Sequence, residues 1–206
     1  MNIAVFASGR GSNFQAILNA IDNGVLPARV SLLVSNKAEA GAFEIARKHN
    51  IAAIHLSQHQ FPSEDAYVGN MLDLLDRHSV ELIALAGYLK RVPTPVVRKF
   101  RNKILNVHPA LLPLFGGAGM YGRHVHEAVI TSGVKVSGAS VHVVDEEYDR
   151  GPIVLQKTVD VLENDTPESL AERVLKVEHE IYPLALKAFA EDRITIKGSK
   201  IWIQPS

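Results

Sequence analysis

The chain has 206 residues, of which 47% are hydrophobic and 21% are charged, so it has enough apolar material for one well-buried core. Lys and Arg total 22 and Asp and Glu total 22, which leaves no formal net charge and none of the basic excess typical of nucleic-acid-binding domains. Cysteine is absent, which excludes disulfides and thiolate chemistry.

The N-terminus has neither the basic segment nor the long apolar run of a signal peptide. No apolar stretch approaches the roughly 20 residues that a membrane-spanning helix needs. We therefore expect a cytoplasmic protein that binds neither membranes nor nucleic acid.

Short apolar runs alternate with helical patterns along the first half of the chain. The apolar runs predict strands at 2–7, 30–35, 52–56, 82–86 and 103–107. The helical patterns predict helices at 14–18, at 40–49, from Ser63 as N-cap to about His78, and after Pro93. Such alternation is typical of a parallel sheet with right-handed crossovers.

The second half contains longer elements. Strands are predicted at 135–144 and 153–159, and a long helix from Thr166, with Ser169 behind it, to about Ala190. A terminal hairpin is predicted at 194–196 and 201–203, turning through 197–200. The predicted fold is therefore one α/β domain, residues 1–206, with a doubly wound, mainly parallel sheet, a long C-terminal helix and a hairpin.

A glycine turn separates the first strand from the first helix. Gly9 and Gly11 allow a tight turn and a close approach of a ligand to the backbone. The amides at a helix start favour an anion, and the spacing fits a single phosphate better than a dinucleotide. The alternative is an ordinary turn in which Ser12 or Asn13 caps the helix.

The end of the predicted strand 103–107 carries the strongest chemical signal. Asn106 and His108 lie two residues apart, so they face the same side of a strand at the sheet edge where ligands bind. Both side chains can donate to an oxygen that gains negative charge, and histidine can also carry a proton. The alternative is a satisfied polar pair that closes the strand.

The loop 111–122 contains four glycines and exposed-looking apolar residues, which favours a lid. The alternative is a disordered connection.

An acidic run precedes the turn Gly151-Pro152, and its members are Asp145, Glu146, Glu147 and Asp149. An acid held near His108 would raise the pKa of the imidazole and orient the ring. The pattern does not choose among the four acids, and a solvated acidic loop is the alternative.

Three segments together resemble the formyltransferase superfamily that uses 10-formyltetrahydrofolate: Asn106 to Pro113, Ser140 to His142, and Asp149 to Pro152. The first glycine loop and residues 177–183 extend the resemblance over essentially the whole chain. It implies a Rossmann-like formyltransferase fold, 10-formyltetrahydrofolate as co-substrate, no metal, and the amine of a small phosphorylated molecule as acceptor. It also implies a phosphate-binding half at 1–100 and a folate-binding and catalytic half at 101–206, in a monomer or homodimer.

The resemblance, not the pattern, selects Asp149 from its acidic neighbours. The implied mechanism places protonated His108 and Asn106 on the oxyanion, with Asp149 keeping His108 charged. The implied residues are catalytic Asn106, His108 and Asp149, substrate-binding Gly11, Ser12, Asn13 and Glu178, and folate-binding Leu89, Lys90, Val92, Val143 and Val144. Ala110, Leu114 and Lys90 depart from residues common in the superfamily.

Several alternatives to this assignment carry sequence signals of their own. A tRNA formyltransferase would carry a further C-terminal domain, and a formyltetrahydrofolate hydrolase a further N-terminal one; we expect neither. A sugar-nucleotide formyltransferase would lack the helix signature around Glu178. A non-catalytic phosphate-binding module would not need Asn106, His108 and Asp149 together. A metal site at His124, His126 and His142 is disfavoured, since the two former residues fit the start of a helix.

Overall fold

The structure is a computed structural model that describes residues 1–205. Its strands are Asn2–Phe6 (β1), Arg29–Ser35 (β2), Ala53–His55 (β3), Leu82–Leu85 (β4), Ile104–His108 (β5), Val136–Val143 (β6), Ile153–Asp160 (β7), Ile194–Lys197 (β8) and Lys200–Ile203 (β9). Its helices are Ser12–Asp22 (α1), Ala42–Lys48 (α2), Glu64–Arg77 (α3), Thr94–Lys99 (α4), Arg123–Ser132 (α5) and Pro167–Ala190 (α6).

Seven strands form one mostly parallel sheet in the order β3-β2-β1-β4-β5-β6-β7, and β8 and β9 form a separate hairpin. The chain runs outward from β1 to β3 and then returns to place β4 beside β1, which is the order of a doubly wound sheet. The predicted fold class is therefore confirmed, including the long C-terminal helix and the hairpin.

The chain divides after Leu105 into two compact units, each described by itself. In the first unit β1, β2 and β4 are buried almost throughout, as expected for parallel strands covered on both faces. The Ser63 hydroxyl accepts from the Ala66 amide at 3.1 Å, so the predicted cap of α3 is confirmed. A short 3-10 helix at Gln58–Gln60 was not predicted. The single-domain assignment stays a prediction.

In the second unit β6 pairs antiparallel with β7, and α6 packs on both strands. The connection at 144–152 contains no helix, and a parallel arrangement would need a much longer crossover. Thr166 is the N-cap of α6, which confirms the predicted start of this helix, and with Ser169 it forms a capping box. Although α6 has 24 residues, no helix within 1–205 is both long and apolar enough to cross a bilayer.

Asp165 anchors the start of α6. Its carboxylate accepts from both terminal nitrogens of Arg173 at 2.8 Å, and also from the Leu162 amide and the Ser169 hydroxyl. The Arg173 guanidinium, together with these two donors, holds the pKa of the Asp165 carboxyl well below its usual range. A pKa depressed by folding stabilises the folded state above the unfolded value of about 3.9, and this contribution is lost as the pH falls below it.

We expect Asp165→Ala to lower the free energy of unfolding at pH 7 by about 2 kcal/mol, because Arg173 and the helix start lose a charged partner. At pH 3 the difference from wild type should be smaller. Urea denaturation at the two pH values measures both quantities. The exposed Glu163 provides the control variant Glu163→Ala, which should change stability by less than about 0.5 kcal/mol. Equal losses at both pH values would contradict the assignment.

Candidate active site

His108 ends β5, and only 3% of the residue is exposed. Its Nε2 lies 2.8 Å from the carbonyl oxygen of Phe115. Because a carbonyl oxygen can only accept, Nε2 carries a hydrogen and donates a hydrogen bond to the Phe115 carbonyl. The other ring nitrogen, Nδ1, lies 3.6 Å from Oδ2 of Asp149, which is beyond direct hydrogen-bond distance but within strong electrostatic range.

Asp149 lies in the loop between β6 and β7 with a φ of 54°, a left-handed conformation that Asp tolerates better than most residues. Its Oδ2 accepts from the Gly117 amide at 2.9 Å. The loop closes tightly, since a Cβ on Gly151 would overlap the Val143 carbonyl oxygen. The carboxylate of Asp145 is instead used locally, on the Glu147 amide. The backbone therefore brings Asp149, and not Asp145, to His108.

A second histidine, His142, completes the cluster and was not among the predicted site residues. It is 2% exposed, and its Nε2 lies 3.0 Å from Nδ2 of Asn106 and 3.4 Å from Oδ1 of Asp149. Its Nδ1 donates to the Val143 carbonyl at 3.1 Å, so Nε2 of the neutral ring accepts from Asn106. An amide nitrogen has two hydrogens, which leaves Asn106 one to donate to a ligand.

Two sequence signals pointed to His142: its place near the end of the predicted strand 135–144, and the segment Ser140 to His142 in the formyltransferase resemblance. The only role considered for its side chain was that of a metal ligand with His124 and His126. Those two residues lie in α5, as predicted, and within residues 1–205 no group of three or more His, Asp and Glu side chains is arranged to hold a metal ion. A metal-free reaction stays an expectation.

The pKa of His108 lies below its ordinary value of 6.5. Burial lowers it, and the nearby His142 lowers it further; together they outweigh the Asp149 carboxylate and the Phe115 carbonyl, both of which raise it. The predicted direction of the Asp149 contribution is therefore confirmed. In the free protein, desolvation of the imidazolium outweighs the attraction of the carboxylate. The expectation that Asp149 keeps His108 charged during the reaction stays a prediction.

In the Asp149 carboxyl, the effect of burial on the pKa is outweighed. Burial alone would raise this pKa. The His142 ring beside Oδ1, the positive field of His108 and the Gly117 amide outweigh burial, and the pKa of Asp149 lies below its ordinary value. At neutral pH the free site therefore holds an ionised Asp149 opposite a neutral His108.

The glycine-rich loop meets this pair through its backbone. The carbonyl of Phe115 binds His108, and two residues later the amide of Gly117 binds Asp149. Phe115 has a φ of 54° and Gly117 a φ of 102°, and the Met120 amide closes a turn onto the Gly117 carbonyl at 3.1 Å. The loop backbone thus contacts both members of the pair, while closure of the loop over a ligand stays a prediction.

The first unit contains the predicted anion loop at the start of α1. Gly11 is the N-cap with a φ of 86°, and no side chain caps the helix, so the alternative of a cap by Ser12 or Asn13 is wrong. A Cβ on Gly11 would lie 2.9 Å from Ile45 and 3.1 Å from Ala42, which explains the glycine. The binding of phosphate to Gly11, Ser12 and Asn13 stays a prediction.

The other predicted residues occupy varied positions. In the first unit Leu89 is 44% exposed and its amide donates to the buried Ser8 hydroxyl at 2.8 Å, Lys90 is exposed and Val92 is buried. In the second unit Val143 is buried with its carbonyl on His142, Val144 is half-buried, and Glu178 is buried on α6. The structure thus joins Asn106, His108 and Asp149 into one cluster, and the folate and amine roles stay predictions.

The chain is similar in sequence to known formyl transferases. The family described as Formyl transferase matches residues 1–186. The phosphoribosylglycinamide formyltransferase of Bacillus subtilis (strain 168) is 39% identical over 184 residues, which is 89% of this chain and 92% of that protein. The chloroplastic phosphoribosylglycinamide formyltransferase of Arabidopsis thaliana is 45% identical over 193 residues, which is 93% of this chain and 66% of that protein. The chain thus spans 66% and 62% of the length of two plant relatives that it matches.

A solved structure has the same architecture. Glycinamide ribonucleotide transformylase 1 from Symbiobacterium toebii is 40% identical and superposes with a TM-score of 0.93, covering 100% of this chain and 94% of that one.

Gly116 offers a test of how closely the loop packs on the cluster. A Cβ there would lie 2.5 Å from Cδ2 of the buried Leu112 and 3.1 Å from Cβ of Asp149. We expect Gly116→Ala to lower the free energy of unfolding by about 1–3 kcal/mol through overpacking. Gly69, inside α3 with nothing within 4 Å of an added Cβ, provides the matched control. Gly69→Ala should raise the free energy of unfolding by about 0.5–1 kcal/mol, and urea denaturation that found the same sign for both variants would contradict the packing.

Proposed function

The chain belongs to the formyl transferase family, and we propose that it transfers the formyl group of 10-formyltetrahydrofolate to the amine of glycinamide ribonucleotide. The products are formylglycinamide ribonucleotide and tetrahydrofolate, and the reaction is a step of purine synthesis. The observation that carries the proposal is the cluster of the buried His108 with the half-buried Asn106 and Asp149, which supplies hydrogen-bond donors and a proton acceptor at one point. The names of the similar proteins agree with this chemistry.

The Phe115 carbonyl determines which ring nitrogen of His108 can exchange a proton during the reaction. Because Nε2 is committed to that carbonyl, Nδ1 is the nitrogen that gains and gives a proton. The 3.6 Å between Nδ1 and Oδ2 of Asp149 is longer than a hydrogen bond, so Nδ1 is not committed to the carboxylate in the free protein. Contacts of this kind in a free enzyme are often long and tighten when the substrate binds.

The first step forms the new carbon–nitrogen bond. The lone pair of the neutral amine attacks the formyl carbon, and the π pair of the carbonyl moves onto the formyl oxygen. Asn106 donates its remaining amide hydrogen to this oxyanion. His108, which takes up a proton from solvent at Nδ1 when the substrates bind and releases it after the reaction, donates a second hydrogen bond from Nδ1. Each such preorganised donor stabilises the transition state by about 3 kcal/mol. The developing negative charge raises the pKa of His108 and so opposes the effect of burial.

The second step breaks the bond between the formyl carbon and the folate nitrogen. Overall, the attacking amine loses one proton and the departing folate nitrogen gains one. The Asp149 carboxylate, ionised at neutral pH, accepts the amine proton and passes it through water to the folate nitrogen. A lone pair of the oxyanion re-forms the formyl carbonyl, and the pair of electrons of the broken bond stays on the folate nitrogen. No metal takes part in the proposed sequence.

The remaining assignments are part of the same proposal. Gly11, Ser12 and Asn13 bind the phosphate of the substrate at the uncapped start of α1. Glu178 binds the amine. The folate contacts Leu89, Lys90, Val92, Val143 and Val144. A cytoplasmic location, and a monomer or homodimer without a nucleic-acid or membrane partner, complete the proposal.

The activity itself is tested with 10-formyltetrahydrofolate and glycinamide ribonucleotide, by following the release of tetrahydrofolate. We expect transfer by the wild type and a loss of about 100-fold or more in kcat for His108→Ala, because an oxyanion donor is removed. The exposed His59 gives the control His59→Ala, which should keep wild-type activity. Release of formate that does not require the amine would replace the proposal with a hydrolase, and absence of any folate chemistry would favour a binding module.

Asp149→Asn tests the electrostatic pairing. Removing the negative charge removes a contribution that raises the pKa of His108, so that pKa should fall further below 6.5. NMR titration of the His108 imidazole measures the shift, and kcat should fall with it. The exposed Asp145 in the same loop supplies the control Asp145→Asn, which should leave both quantities unchanged. Near-normal turnover of Asp149→Asn would refute the proton-relay role.

A further inference from the structure

The turn at 109–113, which leads from β5 towards Phe115, is held by two side chains from other strands. The Ser140 hydroxyl on β6 donates to the Ala110 carbonyl at 2.7 Å and accepts from the Leu112 amide at 2.9 Å. The Gln156 side-chain amide on β7 donates to the Leu112 carbonyl at 3.0 Å and to the Ser140 hydroxyl at 2.8 Å. Ser140 and Gln156 are direct partners in the β6–β7 register.

These bonds use the full capacity of both groups. The Ser140 hydroxyl has one hydrogen and two lone pairs, and all three are engaged. The Gln156 amide nitrogen has two hydrogens, and both are donated to this contact. Three backbone groups of one turn are thereby held at once, two by Ser140 and one by Gln156, so the turn has little freedom to shift.

The position of the turn 109–113 determines where the Phe115 carbonyl lies. His108 precedes the turn and Phe115 follows it, and the bond of 2.8 Å from His108 Nε2 to the Phe115 carbonyl closes the segment into a ring. The Leu114 amide adds a further bond to the Leu111 carbonyl at 3.1 Å. A shift of the turn would therefore move the carbonyl that fixes the tautomer and the orientation of His108.

We propose that Gln156 and Ser140 are positioning residues that hold the turn 109–113 so that the Phe115 carbonyl keeps His108 Nδ1 aimed at Asp149. This inference rests on the proposed function for its effect on turnover, but not for its effect on the histidine. Gln156 is an exposed residue on the edge strand β7, so the core does not require it there. The two bonds to the turn region account for its side-chain amide nitrogen.

The variant that tests the proposal is Gln156→Met, which keeps the length of the side chain and removes both donors. The matched control is Lys157→Met, at the adjacent exposed position of β7, where the lysine pairs with Glu180. We expect kcat of Gln156→Met to fall by about 10- to 100-fold with KM for both substrates within about twofold, since misplacement of a catalytic group affects turnover. Lys157→Met should keep the wild-type kcat.

A second readout needs no substrate. Nitrogen NMR of the imidazoles, with His108 assigned from the His108→Ala spectrum, should show one tautomer protonated at Nε2 in the wild type. Gln156→Met should show a mixture of tautomers, whereas Lys157→Met should match the wild type. If the wild type transfers no formyl group but the tautomer responds to Gln156→Met, the proposed function fails and the positioning role stands.

Ser140→Ala provides an independent route to the same turn. If both side chains act through it, the loss of kcat in the double variant will be no larger than that of the stronger single variant, because both remove one interaction. The proposal is overturned if Gln156→Met keeps the wild-type tautomer and kcat. It is also overturned if KM rises at unchanged kcat, or if Lys157→Met loses as much activity as Gln156→Met.

Discussion

Exclusion of water around the His108 imidazole and the Asp149 carboxylate is the constraint on which the candidate site depends. Opposite charges 3.6 Å apart would attract only weakly in water, and burial strengthens the attraction while penalising the imidazolium. The result is a pKa below the ordinary value for both groups. The free site therefore holds a neutral His108 imidazole facing the Asp149 carboxylate. A negative charge that develops nearby strongly favours protonation of this imidazole.

The groups that orient this pair come mainly from the backbone. Phe115 and Val143 supply carbonyls that fix one nitrogen of each histidine, and Gly117 supplies an amide to Asp149. Backbone groups do not titrate, so the orientation of the side chains can persist while their protonation changes. The same dependence makes the site sensitive to the loops, whose backbone must be held in place by side chains such as Ser140 that take no part in the chemistry.

The sheet explains why these groups meet at all. His108 and His142 lie near the ends of β5 and β6, which are neighbours in the sheet although 34 positions apart in the chain. The antiparallel return through β7 then brings Gln156 beside Ser140. Short-range patterns such as apolar runs, the Ser63 cap and the Thr166 capping box depend on adjacent residues, which is why the elements and the fold class could be predicted.

The sequence by itself determined the elements of the sheet and the polar residues Asn106 and His108 at the end of β5, because strand periodicity places them on one face. It left four acids open, and only the resemblance chose Asp149. Tertiary structure decided the rest: the left-handed turn that brings Asp149 to His108, the contacts of His142 with Asn106 and Asp149, and the lowered pKa of His108. These depend on burial and on contacts between residues distant in the chain, which no local pattern of residue types records.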